Sequence, residues 1–154
     1  MSESPRQRIP SYLGVMGTYG AAVVSAVLVG RAEGLRLDHP YATQDLVLGA
    51  LATHKFTRLV AKDGVTTPLR APFTEFEGEA GAAEVNERPR DATHPQHTVG
   101  ELLVCPFCLA PWVAGAYVAA LHLAPGVARA WAATFSLVGA SDWLQQGYGR
   151  IRNE

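Results

Sequence analysis

Two long stretches without a charged residue constrain this chain more than anything else in it. They run from Tyr12 to Gly30, 19 positions, and from Leu102 to Ala128, 27 positions. A helix that meets water along one face normally carries charged residues on that face. As a helix the first stretch rises roughly 28 Å, close to the ~30 Å hydrocarbon thickness of a bilayer. The composition agrees, because only 18% of the 154 residues are charged while 48% are hydrophobic; soluble domains carry about a quarter charged. These features predict an all-α fold. The expectation is one small polytopic membrane domain over residues 1–154, with three or four transmembrane helices and a polar cytoplasmic loop.

Four hydrophobic segments are expected, at about 12–30, 42–62, 102–124 and 127–146, with the polar loop over 63–101. Arg6 and Arg8 precede the first segment, as in a secretory signal. Its apolar run exceeds the usual signal core of roughly 7–15 residues, however, and Val-Gly-Arg-Ala is a poor cleavage site, so a retained anchor is expected. Gly14, Gly17, Gly20 and Ala21 give it a small-residue face that would let another helix approach closely in lipid. Arg31 to Pro40 reads as a polar turn, with Asp38-His-Pro breaking any helix.

The second segment is ambiguous. Leu46, Val47, Leu48, Leu51, Phe56, Leu59 and Val60 make it apolar, yet His54, Lys55, Arg58 and Lys62 cluster on one side of its last two turns. It is either a tilted span or an amphipathic helix lying on the membrane. Gly64 is a helix stop, and Pro68 and Pro72 favour extended chain. Thr74 to Glu101 is acid-rich, with Glu75, Glu77, Glu79, Glu84, Glu87 and Asp91 and few large apolar residues, which predicts a solvated, partly disordered loop. Pro125-Gly126 ends the third segment. Trp131 and Trp143 lie near the ends of the fourth, where interfacial anchors sit.

Lysines and arginines in short flanking loops mark the cytoplasmic side. With four spans and the N-terminus inside, that side holds Arg6, Arg8, Lys55, Arg58, Lys62, Arg70, Arg88, Arg90, Arg150 and Arg152, leaving Arg31, Arg36 and Arg129 outside. If the second segment lies on the surface, Arg31 and Arg36 exchange sides with Arg6 and Arg8, and the balance is unchanged. Both topologies put the central loop, the cysteines and the C-terminus in the cytoplasm.

A formal net charge of −1 offers no whole-chain attraction for nucleic acid or an acidic substrate. Two cysteines are too few for a secreted disulfide scaffold. They form a Cys105-Pro-Phe-Cys108 pair that opens the third segment. A thiol near a helix N-terminus meets exposed backbone N–H groups, which favour thiolate, and Pro106 suits a first helical position. Such a pair can close a disulfide or chelate a soft metal. His94 and His97 lie just upstream and would complete a two-plus-two zinc set with Cys105 and Cys108. The competing readings are two solvated histidines and a structural thiol pair.

Pro111 removes a helix hydrogen bond, and Trp112 is expected to pack on a neighbouring helix or lie at headgroup level. The cations His54, Lys55, Arg58, Lys62 and Arg70 either dock to anionic headgroups or an acidic partner, or hold that end inside; Asp63 would pair with one of them. His122, in the third span, is either a proton or ligand site or an interfacial residue. No Ser/His/Asp constellation, phosphate-cradling glycine loop or pair of intramembrane carboxylates occurs, so hydrolase, kinase and proton-pump readings lack support.

The run from His54 to Phe73, His-Lys-Phe-Thr-Arg-Leu-Val-Ala-Lys-Asp-Gly-Val-Thr-Thr-Pro-Leu-Arg-Ala-Pro-Phe, is followed by Gly100-Glu-Leu-Leu-Val-Cys-Pro-Phe-Cys-Leu-Ala-Pro-Trp112. Together they resemble the bacterial family catalogued as domain of unknown function thirteen-sixty. The matching positions are Thr57, Arg58, Leu59, Asp63, Pro68, Leu69, Arg70, Cys105, Cys108 and Trp112. Ala110-Pro111 stands where a glycine is common. The resemblance implies a small bacterial membrane protein, in some members linked to sporulation, with no established activity. It also implies a shared site at Arg58, Asp63, Arg70 and the cysteines. The leading expectation is a non-enzymatic interaction or structural component of the bacterial cytoplasmic membrane. Zinc is its candidate cofactor, and its expected partners are the bilayer, further copies of itself or a membrane complex, with no nucleic acid. The alternative is a membrane-bound thiol-disulfide oxidoreductase with Cys105 as nucleophile and Cys108 as resolving thiol. A transporter ranks third, since intramembrane ionisable groups are scarce.

Overall fold

The computed structural model describes residues 9–35, 40–81, 83–91 and 94–152. The expected positions Arg6, Arg8, Arg36 and Asp38 lie outside the described residues. The chain is mostly helical: α1 (Ile9–Ala32), α2 (Thr43–Lys62), α3 (Thr67–Arg70), α4 (His94–Val104), α5 (Pro106–Leu123) and α6 (Pro125–Arg152). Two strands, β1 (Thr74–Gly81) and β2 (Glu84–Pro89), pair as an antiparallel hairpin running from Thr74 opposite Pro89 to Gly81 opposite Glu84. By length and composition, α1 and α5 can each cross a bilayer.

The hairpin corrects the all-α expectation, and it lies within the stretch read as a solvated loop. That reading rested on the scarcity of large apolar residues. The segment is instead ordered by backbone pairing and by charge, as shown below. Gly78 and Gly81, at positive φ of 157° and 141°, flank the two register shifts in the ladder. A bulge at such a φ strains any residue with a Cβ. Pro68 does not extend the chain as expected, because it occupies the first turn of α3, where its missing N–H has no helical partner.

The expected third segment, 102–124, is also divided. Residues 102–104 end α4, and the chain turns at Cys105, with φ −111° and ψ 102°, before α5 begins. Pro106 is the reason, since its ring disfavours the helical conformation in the residue before it.

Helices α2, α5 and α6 pack as a bundle with α2 in contact with both others, while α1 leans on α4 and α5. The bundle's centre is Ala52, Tyr117, Ala128 and Ala132, flanked by Leu48, Trp131 and Phe135. Close approach depends on small residues. Gly49 lies under the Tyr117 ring, so tightly that a Cβ there would enter it. The Tyr117 hydroxyl donates to the Asp45 carbonyl at 2.9 Å, and Ser136 Oγ donates to the Leu48 carbonyl at 2.9 Å. Trp131 joins an aromatic cluster, 5.5 Å from Phe56 and 5.3 Å from Phe135. Two ion pairs pin α2 to α6 near the ends of their contact: Arg129 grips Asp45 with two bonds of 2.9 Å, and Lys55 reaches Asp142 at 2.9 Å. Many large apolar side chains point outward, among them Leu13, Met16, Val24, Leu28, Phe107, Leu137 and Leu144. Gly14, Gly17 and Gly20 of α1 face open space.

Candidate functional site

Most of the residues singled out in the sequence fall into three places. The first is a knot at the end of α2. Asp63 leaves α2 in an extended conformation, and a tight turn over Gly64–Thr66 leads into α3, which places Arg70 beneath the last carbonyls of α2. Arg70 is 0% exposed. Its Nε and Nη2 donate to the two carboxylate oxygens of Glu87 at 2.9 Å each. Nη1 donates to the Val60 carbonyl at 2.6 Å and to Thr66 Oγ1, and Nη2 also donates to the Asp63 carbonyl at 3.2 Å. Glu87 accepts further from Thr74 Oγ1 at 2.6 Å and Thr67 Oγ1 at 3.1 Å. The guanidinium therefore caps carbonyls that a helix C-terminus leaves unsatisfied.

A buried ion pair is tolerable only when its remaining donors and lone pairs are satisfied, and this one is well supplied. Burial alone would push the Glu87 carboxyl towards protonation. Hydrogen bonds from Arg70 and Thr74, the Arg70 charge and the Thr67 hydroxyl outweigh it, holding Glu87 below the ordinary glutamate range. Sequence reasoning missed Glu87, which looked like any other acid of the segment. The available signal was the alternation of Val85, Glu87 and Pro89, the inward positions of β2, with exposed Asn86 and Arg88.

Two other cations of the expected basic cluster, Arg58 and Lys55, also have carboxylates of their own. Arg58 forks Glu84 through Nε at 3.2 Å and Nη2 at 2.7 Å, and Lys55 lies 3.4 Å from Asp63 as well as bonding Asp142. Thr57 is buried and donates to the His54 carbonyl at 3.0 Å, while Pro68 is exposed.

The second place is a groove of about 450 Å³ between α2 and α5, from Leu46 and Val118 at one end to Arg58 and Phe107 at the other. The third is a cleft of about 440 Å³ where α1, α4 and α5 converge. It is lined by both cysteines with Tyr12, Met16, Glu101 and Leu102. The thiols are free; Cys105 is half-buried and Cys108 exposed. Cys105 is the N-cap of α5, its Sγ accepting the Cys108 N–H at 3.2 Å. His97 turns to the hairpin instead, with Nδ1 3.0 Å from the Arg90 carbonyl and Nε2 3.8 Å from Glu101. The side chain of His94 lies outside the described residues. Among the described residues, no group of three or more His, Cys, Asp or Glu is placed to hold a metal. Trp112 meets Tyr19 edge-on at 5.1 Å and so docks α1 onto α5. His122 faces the Tyr41 hydroxyl at 2.8 Å, far from the thiols along α5.

These positions are drawn from two separated blocks, and one family pattern spans both. The family model described as Protein of unknown function (DUF1360) matches residues 48–148. The chain belongs to this family. The DUF1360 region begins inside α2 and ends inside α6, so it takes in the knot, the groove and the thiols but leaves α1 outside. No curated protein and no solved structure matches the chain.

Proposed function

We propose that this DUF1360 protein is a multi-pass component of the bacterial cytoplasmic membrane with a structural or interaction role, presenting residues 63–104 to the cytoplasm. The observation that carries this reading is the inverted distribution of side chains. The bundle meets through Gly49, Ala52, Ala128, Ala132 and Ser136, while leucines, valines and Phe107 face outward. Water would penalise that exterior, whereas lipid accepts it and rewards close packing of small residues. In this reading α1 and α5 are spans, and α2 and α6 complete the bundle with their charges neutralised between them by the Asp45–Arg129 and Lys55–Asp142 pairs. The charged residues of the family pattern are spent on joining the module to the bundle, which supports an architectural role. The cytoplasmic side follows the arginine and lysine balance.

The test is extraction followed by labelling. The protein should stay with the membrane through alkaline carbonate and require detergent to remain monodisperse. An impermeant maleimide should reach Cys108 in inverted vesicles and not in intact cells. Monodisperse protein in plain buffer, or labelling from outside the cell, would overturn the proposal.

A second reading, thiol–disulfide exchange, is favoured by the Cys105 N-cap geometry beside an exposed Cys108. A Cys105 thiolate would attack a partner disulfide, releasing one partner thiol, and Cys108 would then displace the second. The chain would end as a disulfide and the partner as a dithiol, with two electrons transferred. A Cys108→Ser variant should trap the mixed disulfide, and failure to trap any adduct would remove this reading.

A further inference from the structure

We propose that the groove between α2 and α5 holds one acyl chain of an aminophospholipid, with the lipid phosphate on Arg58 and its primary ammonium on Glu84. The inference rests on the membrane reading above. The groove exists because facing positions are small, Ala50 on α2 and Ala110 and Ala114 on α5, so the two helices leave a furrow. Its volume, about 450 Å³, lies within the roughly 300–1,000 Å³ of small-molecule sites. From Leu46 to Arg58 the furrow follows α2 for a rise of about 18 Å, close to half of a ~30 Å hydrocarbon layer. That is the length of one chain in one leaflet. Leu46, Ala50 and Phe107 are exposed along the rim, Phe107 by 88%, so entry is sideways, from where lipid tails would lie.

Polarity along the furrow is graded. Thr53, His54, Thr57 and Arg58 line one part of the α2 wall, and Leu46 with Val118 closes the other end. The polar end is the one nearest the hairpin, at headgroup depth. Glu84 decides which headgroup fits. It takes the Nε and Nη2 donors of Arg58, and both side chains remain accessible, 43% for Arg58 and 25% for Glu84. A purely anionic headgroup would bring a second negative charge against Glu84. A zwitterion presents phosphate to the guanidinium and ammonium to the carboxylate. A primary ammonium donates hydrogen bonds to that carboxylate, which a quaternary one cannot.

The experiment uses the full chain, purified in detergent and exchanged into micelles containing equal amounts of phosphatidylethanolamine, phosphatidylglycerol and phosphatidylcholine with matched chains. Native mass spectrometry should find one lipid per chain, with phosphatidylethanolamine favoured about tenfold, as expected for one added charge-assisted hydrogen bond. Ala114→Phe fills the furrow and should remove all three lipids, and Ala50→Leu does the same from the rim if the first variant fails to fold. Arg58→Gln should abolish the headgroup preference while retaining a chain, and Arg58→Lys should restore part of it. Equal or greater retention of phosphatidylglycerol or phosphatidylcholine overturns the headgroup assignment. Unchanged lipid stoichiometry in both filled variants, or a lipid-free dimer closed over the furrow, overturns the site. A detergent-dependent protein carrying no lipid defeats this inference alone, whereas a chain soluble without detergent defeats the membrane reading first.

Discussion

The helical bundle and the hairpin module of residues 63–104 bury opposite kinds of side chain. Where α2 meets α5 and α6, the enclosed residues are mostly alanine, glycine, serine and threonine around Tyr117, with one carboxylate, Asp45, paired to Arg129 at the edge. In the module the most enclosed large side chain is an arginine. The bundle is held by close backbone approach and dispersion, terms that survive in lipid, where burying apolar surface brings no gain. The module is too small and too poor in large apolar residues to build a conventional core. Its order comes from a charge network in which each buried group has partners. The two regions meet at Asp63, whose carbonyl receives a hydrogen bond from Arg70 and whose carboxylate lies beside Lys55 of α2.

If that contrast is real, each region should fail separately. Arg70→Met leaves Glu87 buried without its partner and should cost the module about 3–5 kcal/mol. Hydrogen exchange should then reach the amides of β1 and β2 while those of α2 and α6 remain protected; loss of protection in both would erase the distinction. Adding Glu87→Met should recover most of the loss, since replacing a whole buried pair is far less costly than halving it.

Acid should reproduce part of the same effect. The folded Glu87 pKa is depressed, so its contribution is fully present above the ordinary glutamate value and is lost as pH falls through the folded value. Protection of the hairpin amides should persist at pH 5 and decline only on further acidification, and the acid step assigned to Glu87 should vanish in the Arg70→Met, Glu87→Met double variant.

The bundle has a complementary probe. Gly49→Leu drives a side chain into the Tyr117 ring and should destabilise the helices by about 1–3 kcal/mol in a mixed-micelle unfolding titration. The module should show unchanged hairpin exchange. The smallest effect is expected for Arg88→Ala on the outer face of β2, where the pair with Glu75 is half exposed. A loss above about 1 kcal/mol there would mean that surface charge, as well as the buried knot, orders the hairpin.

Much of this organisation is written locally. Uncharged runs of bilayer length, proline at helix starts and the ordered pair of motif blocks are features of neighbouring residues. They led to α1, α5 and membership of the DUF1360 family before any contact was known. Other features depend on a partner distant in sequence. Glu87 lies 17 residues from Arg70, and only the strand alternation that turns Val85, Glu87 and Pro89 inward separates it from Glu84, which pairs with Arg58 instead. Trp131 lies near a helix end, as read from the sequence, and its ring contact with Phe56 is one that no local pattern announces. His97 has zinc-like spacing to the cysteines, and its contact with the Arg90 carbonyl comes from the docking of α4 on the hairpin, which that spacing does not reveal.

The sequence by itself determined that two apolar runs are long enough to cross a bilayer, because hydropathy is a property of neighbouring residues. Only the tertiary structure decided which carboxylate satisfies which cation. Many carboxylates are chemically equivalent, and the choice among them depends on the geometry that brings distant parts of the chain together.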